Sequence, residues 1–146
     1  MLKEQTKIID FTLLDQDGKP HTLSNYQGQV LLYFYPKDDT PGCTKEACAI
    51  TEVYADFQKA GVTVLGVSTD SPLSHKKFQQ KYNLPFTLLS DPEKKVIKAY
   101  EAASVLFTKR ISYLISRGLI IKAYSKVDPA NHALQILKDI TAQDHL

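Results

Sequence analysis

The chain has two cysteines, Cys43 and Cys48, five residues apart. Both lie in Pro36-Lys-Asp-Asp-Thr40-Pro-Gly-Cys43-Thr-Lys-Glu-Ala-Cys48. A cysteine does chemistry as its thiolate, so its surroundings decide whether it reacts. Thr40 is a good helix N-cap and Pro41 suits the first helical position. Cys43 then falls in the first turn. There the free amide N–H groups and the positive end of the helix dipole favour negative charge on sulfur. The bland alternative is a small buried hydrophobe. The approach loop and Gly42, which lets a small ligand come close to the backbone, favour a reactive thiol.

The neighbours carry double readings. Thr40 could simply cap, accepting from the Cys43 N–H, or its hydroxyl could hold an incoming oxygen over the sulfur. Pro36 could end a strand, or pack over the site and screen a thiolate from water. Cys48 is either a bystander at the surface or a thiol that attacks an oxidised Cys43. It sits about 140° round a helix from Cys43, and the two Cα atoms are roughly 8.7 Å apart in an intact helix. A disulfide needs less than about 7 Å, so the bond requires the first turns to unwind. The two arginines differ in place. Arg117, between Ser116 and Gly118, reads as solvated in a turn. Arg110 precedes a strand that could aim it at the end of the sheet, where a guanidinium keeps its charge and offers several donors; a surface charge beside Lys109 is the alternative. The histidines, at 21, 75, 132 and 145, make no metal-ligand spacing with either cysteine. His75 reads as lying on a helix face and His145 at a frayed end. Charges around 37–39 and 93–95 read as solvated faces.

The elements that position these residues follow from pattern. Ile8–Leu14 reads as a strand, Asp15–Gly18 as a turn, and Pro20–Leu23 as the return of a hairpin. Ser24 would cap a short helical turn ending near Gly28. Val30–Tyr35 is an apolar run expected as a buried strand. Apolar positions 43, 47, 50, 54 and 57 give a helix from 41 to about 59, ended by Gly61 in the left-handed conformation. Val62–Val67 is a second buried strand, so the strand–helix–strand unit predicts a parallel pair. Helices are expected from Pro72 to about 82, Pro92 to about 100 and Pro129 to about 140, each opened by a capping residue (Ser71, Asp91, Asp128) before its proline. Phe86–Leu89 is a short strand. Ile111–Ile115 and Leu119–Tyr124 flank Ser116-Arg-Gly118 as an antiparallel hairpin. Residues 101–109 carry the weakest pattern.

At 146 residues the chain fits one domain, residues 1–146, with a sizeable core. Apolar residues at 43% and charged residues at 23% are ordinary for a globular protein, and a net charge of +2 is too small to argue for nucleic acid. Apolar runs fall far short of a membrane span. The first residues have no apolar signal-peptide core, so a cytoplasmic location is expected, where structural disulfides are rare. No Cys-x-x-Cys, Gly-x-Gly-x-x-Gly or Walker pattern is present.

Pro36-x-x-x-Thr40-x-x-Cys43 matches the active-site signature of the peroxiredoxins. The run from Tyr33 to Cys48 resembles the bacterioferritin comigratory protein, or Q-type, branch, as do Asp10-Phe-Thr-Leu, Asp15–Gly18, Gly66–Ser71, Lys81–Phe86 and Leu89–Asp91. The resemblance implies an α/β, thioredoxin-like fold: a mixed central sheet flanked by helices, with an N-terminal β-hairpin extension. It implies Cys43 as the peroxidatic cysteine, with Pro36, Thr40 and Arg110 as site partners and Gly42 beside the substrate. It implies Cys48 as the resolving cysteine, giving an intramolecular disulfide reduced by thioredoxin or a similar dithiol. The expected substrates are hydrogen peroxide and organic hydroperoxides. No metal or other cofactor, no nucleic acid and no membrane is implied, and a monomer is expected rather than a dimer. Departures are the missing tryptophan and apparent shortening in 101–109, and Ile9 where a proline is common. Two rivals stand beside this reading: a thiol–disulfide reductase, weakened by the absent Cys-x-x-Cys, and a non-enzymatic redox sensor or holdase.

Overall fold

The computed structural model describes residues 1–144. Among them, one mixed sheet of seven strands runs in the order β2-β1-β5-β4-β3-β6-β7. Its centre is the unit expected from the apolar runs. Strand β3 (Gln29–Phe34), helix α1 (Pro41–Glu52), helix α2 (Tyr54–Lys59) and strand β4 (Val62–Ser68) make a crossover connection that leaves β3 and β4 parallel. Strand β5 (Thr87–Ser90) extends the sheet parallel to β4. Strands β6 (Ile111–Ser116) and β7 (Leu119–Tyr124) add an antiparallel hairpin beside β3. Its turn needs two left-handed residues, and Arg117 and Gly118 supply φ of 52° and 74°. At the other edge, β1 (Thr12–Leu14) and β2 (Pro20–Thr22) form the N-terminal hairpin.

Alternation along β3 divides the core. Leu31, Tyr33 and Tyr35 face the side covered by α1, α2, helix α3 (Pro72–Tyr82) and helix α5 (His132–Asp144). Val30, Leu32 and Phe34 face the side covered by helix α4 (Lys95–Ala99) and the N-terminal segment. All six are at most 2% exposed. This is the two-faced burial expected of a central strand. Among the described residues no helix is long and apolar enough to cross a membrane.

Several expected boundaries move. The helix foreseen over 41–59 breaks at Val53, whose φ and ψ are −114° and 16°. The Thr51 hydroxyl donates back to the Ala47 carbonyl at 2.8 Å, a bond that bends helices. The apolar stripe survives the break: Cys43, Ala47, Ile50 and Phe57 are buried and Tyr54 is partly so. The strand foreseen over 8–14 shrinks to Thr12–Leu14, because residues 5–8 bond instead to β7 and its turn. Ser24 does not cap. It lies inside a 3-10 turn (Leu23–Asn25), and its N–H and hydroxyl both donate to Asp10. Ser71 caps α3 as expected, accepting from the Ser74 N–H. Helices α4 and α5 each start three residues beyond their prolines. Asp91 serves α4 from further back, accepting from the Ile97 N–H at 2.8 Å. The Asp128 carbonyl accepts from the His132 N–H at 2.9 Å.

Candidate active site

Strand β3 ends at Phe34, and the chain turns through half-buried Pro36 into α1. Thr40 holds extended backbone before α1, and Pro41 takes the first helical position. The Thr40 side chain does not cap. Its hydroxyl donates to the Lys37 carbonyl at 2.8 Å, which closes the loop on itself and leaves the Cys43 N–H without that acceptor. The first turn is nonetheless in place, since the Thr44 N–H donates to the Thr40 carbonyl at 2.8 Å.

Cys43 is 2% exposed. Arg110, just before β6, the strand paired with β3, reaches it. Arg110 Nη2 lies 3.5 Å from Cys43 Sγ, and Nη1 donates to Glu46 Oε1 at 2.8 Å. A guanidinium at that distance favours negative charge on the sulfur. Gly42 faces Arg110 on the side where a side chain would stand: a Cβ there would lie 2.9 Å from Nη2. Arg117 lies exposed in the hairpin turn, as expected.

Glu46 was not foreseen. Three residues after Cys43, it shares that face of α1, and it is 1% exposed. Burial pushes its carboxyl up to about 7, with Arg110 opposing. For Arg110, burial works against the charge, but Glu46 and Cys43 outweigh it and raise its affinity for the proton. Tyr33, also unforeseen, lies under the site in the same core. Burial, then the charges of Glu46 and Cys43, push its phenol well above the ordinary range, so it stays protonated. A Cβ at Gly66 would stand 2.8 Å from the Tyr33 ring, so only glycine fits there.

Cys48 is half-buried, beside a cleft lined by Thr40, Pro41, Thr44, Lys45 and Tyr82. Burial and then Glu52 push its thiol up. Both cysteines are free, on one unbroken stretch of α1.

The loop charges around 37–39 are not a solvated face throughout. Asp39 is exposed and pairs with Lys81, but Asp38 is 7% exposed and sits in a polar cluster. Its carboxylate accepts from the Tyr35 hydroxyl at 2.6 Å and the Ser74 hydroxyl at 2.8 Å, and meets His75 Nδ1 at 2.7 Å. His75, expected on a helix face, is on α3 but fully buried. Of the other histidines, His21 bridges Asp15 and Tyr26, and His132 meets the Ser112 hydroxyl. His145 lies outside the described residues.

A thiol in the first turn of the helix after a central strand, set under an arginine, defines a thiol-redox protein of thioredoxin-like architecture. The AhpC/TSA family model matches residues 5–124, and the chain belongs to that family, the peroxiredoxins. Chloroplastic peroxiredoxin Q of Suaeda salsa is 46% identical over 134 residues, which are 88% of this chain and 63% of that protein. The chain thus spans less than two thirds of that relative's length. A putative peroxiredoxin bcp of Coxiella burnetii is 44% identical over 140 residues, covering 87% of this chain and 91% of that protein. A solved structure of the Xanthomonas campestris bacterioferritin comigratory protein, described with its alkyl peroxide reduction activity, matches with a TM-score of 0.88 at 34% identity, covering 91% of each chain.

Proposed function

We propose that the protein is a thiol-dependent peroxidase whose peroxidatic residue is Cys43. The observation that carries this reading is the Arg110 guanidinium 3.5 Å from Cys43 Sγ at the start of α1. The Cys43 thiolate attacks one peroxide oxygen. The S–O bond forms as the O–O bond breaks, and the departing oxygen takes a proton to leave as water or alcohol. Arg110 stabilises charge on the sulfur beforehand and on the departing oxygen during the step. Cys43 is then a sulfenic acid. The raised thiol of Cys48 stays protonated while waiting, so it does not compete for peroxide. Once α1 unwinds, the Cys48 sulfur attacks, water leaves and an intramolecular disulfide forms. Thioredoxin or a similar dithiol then reduces that disulfide by exchange and is itself oxidised. Hydrogen peroxide and organic hydroperoxides are the substrates, the latter in keeping with the alkyl peroxide activity described for the Xanthomonas relative. We place the cycle in the cytoplasm, with the chain acting as a monomer.

The test is peroxide consumption by the wild-type chain and Cys43→Ser, supplied with a dithiol. The wild type should turn over and the variant should not, with the same circular dichroism. Turnover by Cys43→Ser would overturn the assignment.

A further inference from the structure

The loop that leads into α1 rests on a buried pair the proposed chemistry does not use. His75 and Asp38 have 0% and 4% of their side chains exposed, with Nδ1 2.7 Å from Asp38 Oδ2. The other ring nitrogen, Nε2, lies 2.9 Å from the Leu89 carbonyl of β5. A carbonyl can only accept, so Nε2 carries a proton. A proton also lies between Nδ1 and Oδ2, since two bare acceptors would repel at that distance. Both Asp38 carboxyl oxygens already accept, from the Tyr35 and Ser74 hydroxyls, as an acceptor-only carboxylate does. The shared proton therefore belongs to the ring.

Other groups face the pair. Asp70, from the turn before α3, accepts from the Asp38 N–H at 2.8 Å and from the Ser68 hydroxyl at 2.7 Å. Lys77 and Lys81 of α3, with Asp39, line the cleft outside Asp38. The three possible metal-ligand atoms of Asp38, Asp70 and His75 lie within 4.8 Å of one another, but each is already filled by hydrogen bonds inside the cluster. The cluster closes on itself and ties the loop to β3, β4, α3 and β5 at once.

We propose that His75 is a positioning residue of the thiol site: as an imidazolium it holds the Asp38 carboxylate, and through Asp38 it fixes the loop that sets Pro36, Thr40 and the start of α1. Asp38 is two residues from both Pro36 and Thr40, so freedom at Asp38 is freedom at both. The catalytic half of this proposal rests on the peroxidase reading; the charged pair does not.

The experiment uses the full chain in two arms. In the first, nitrogen NMR of histidine-labelled protein reads the two ring nitrogens of His75. Both should be protonated in the wild type. In Asp38→Asn the amide can donate to Nδ1 and still accept from Tyr35, so one ring nitrogen should become bare with the fold kept. In the second, stopped-flow mixing with cumene hydroperoxide reads the rate constant and the amplitude of Cys43 oxidation. His75→Ala should lower the rate constant by about ten- to a hundredfold, the scale of a misplaced reacting group. Simple loss of folded protein would lower the amplitude and leave the rate constant. Should His75→Ala not fold, Asp38→Asn serves in its place, with a severalfold lower rate constant expected. One bare nitrogen in the wild type would overturn the charged pair. An unchanged rate constant in the folded variant would overturn the positioning role alone. A wild-type chain inert toward peroxide would overturn the proposed function and the positioning role with it, while the nitrogen signals would still decide the pair.

Discussion

Arg110 Nη1 donates to Glu46 Oε1 at 2.8 Å, so the guanidinium that reaches Cys43 is shared with a carboxylate one helical turn further along α1. Glu46 Oε2 is buried and has no hydrogen-bond partner among the described residues. The arginine is thus aimed by a group that is itself costly to charge. That balance makes Glu46 a pH-sensitive part of the site.

Glu46 keeps its proton to about 7 in the folded chain, against an ordinary value of 4.5, because burial outweighs Arg110. Between those values the folded state binds more protons than the unfolded one, so stability falls as pH rises through that window. The favourable contribution is complete below 4.5 and gone above about 7. Glu46→Gln removes the titration and should flatten the decline, by something on the order of 3 kcal/mol between the ends of the window. Urea unfolding at a series of pH values measures it. An equal decline in both proteins would mean that Glu46 is charged throughout.

The two arginines should separate cleanly. Arg110→Ala removes the donor nearest the reacting sulfur, and the peroxide step should slow by about a hundred- to a thousandfold. Arg117 sits exposed in the hairpin turn, and Arg117→Ala should change the rate by no more than about twofold. Stopped-flow oxidation of Cys43 compares them. Similar losses in both variants would contradict the aim of Arg110.

Gly42→Ala should split rate from stability. The added Cβ would stand 2.9 Å from Arg110 Nη2, the far end of a flexible side chain, so the guanidinium moves and the backbone stays. Peroxide attack should slow by roughly tenfold. Alanine in a helix is also favoured over glycine by about 0.5–1 kcal/mol, so the melting temperature should hold or rise. A slower and less stable variant would point to a role for Gly42 in the backbone itself.

What the sequence shows and hides here follows from the range of the forces. The strand–helix–strand centre, the Ser71 cap and the Arg117-Gly118 turn are written in neighbouring residues, and they stand where the patterns put them. Arg110 was legible as a candidate because a strand fixes the direction of the residue before it. Asp38 and His75 were not. They are 37 residues apart in the chain, and a lone aspartate in a charged loop looks solvated until the fold brings a histidine to it. Glu46 had one local clue, its spacing of three from Cys43 on a helix, but its partner Arg110 lies 64 residues away in the chain. The starts of α4 and α5 slipped because a capping residue and a proline mark a turn that the helix need not follow at once.

The break at Val53 sets the limit of the movement that disulfide formation requires. Cys43 and Cys48 lie in one unbroken helix, where their Cα atoms are roughly 8.7 Å apart and cannot be bridged without unwinding. Upstream, Asp38 is tied to Tyr35 after β3, to Asp70 in the turn before α3, and to Ser74 of α3. Downstream, α2 begins at Tyr54 and is held by Phe57, which is fully buried, and by the Tyr54 ring against Phe86. The helical bonds across Val53 are already interrupted, so α1 can open without pulling on α2. Amide hydrogen exchange should therefore show residues 42–49 losing protection in the disulfide form, while 54–59 keep theirs. The same geometry governs damage by excess peroxide. While α1 stays wound, the sulfenic acid waits, and a second peroxide can carry it to the irreversible sulfinic form. Thr44→Ala, which exchanges a β-branched residue for the best helix former, should stiffen the turn and raise the sulfinic yield, read as a mass increase of Cys43 after a peroxide pulse. Equal protection of 42–49 in both redox states would mean that Cys48 does not resolve Cys43 through this opening, and an outside thiol would take that role.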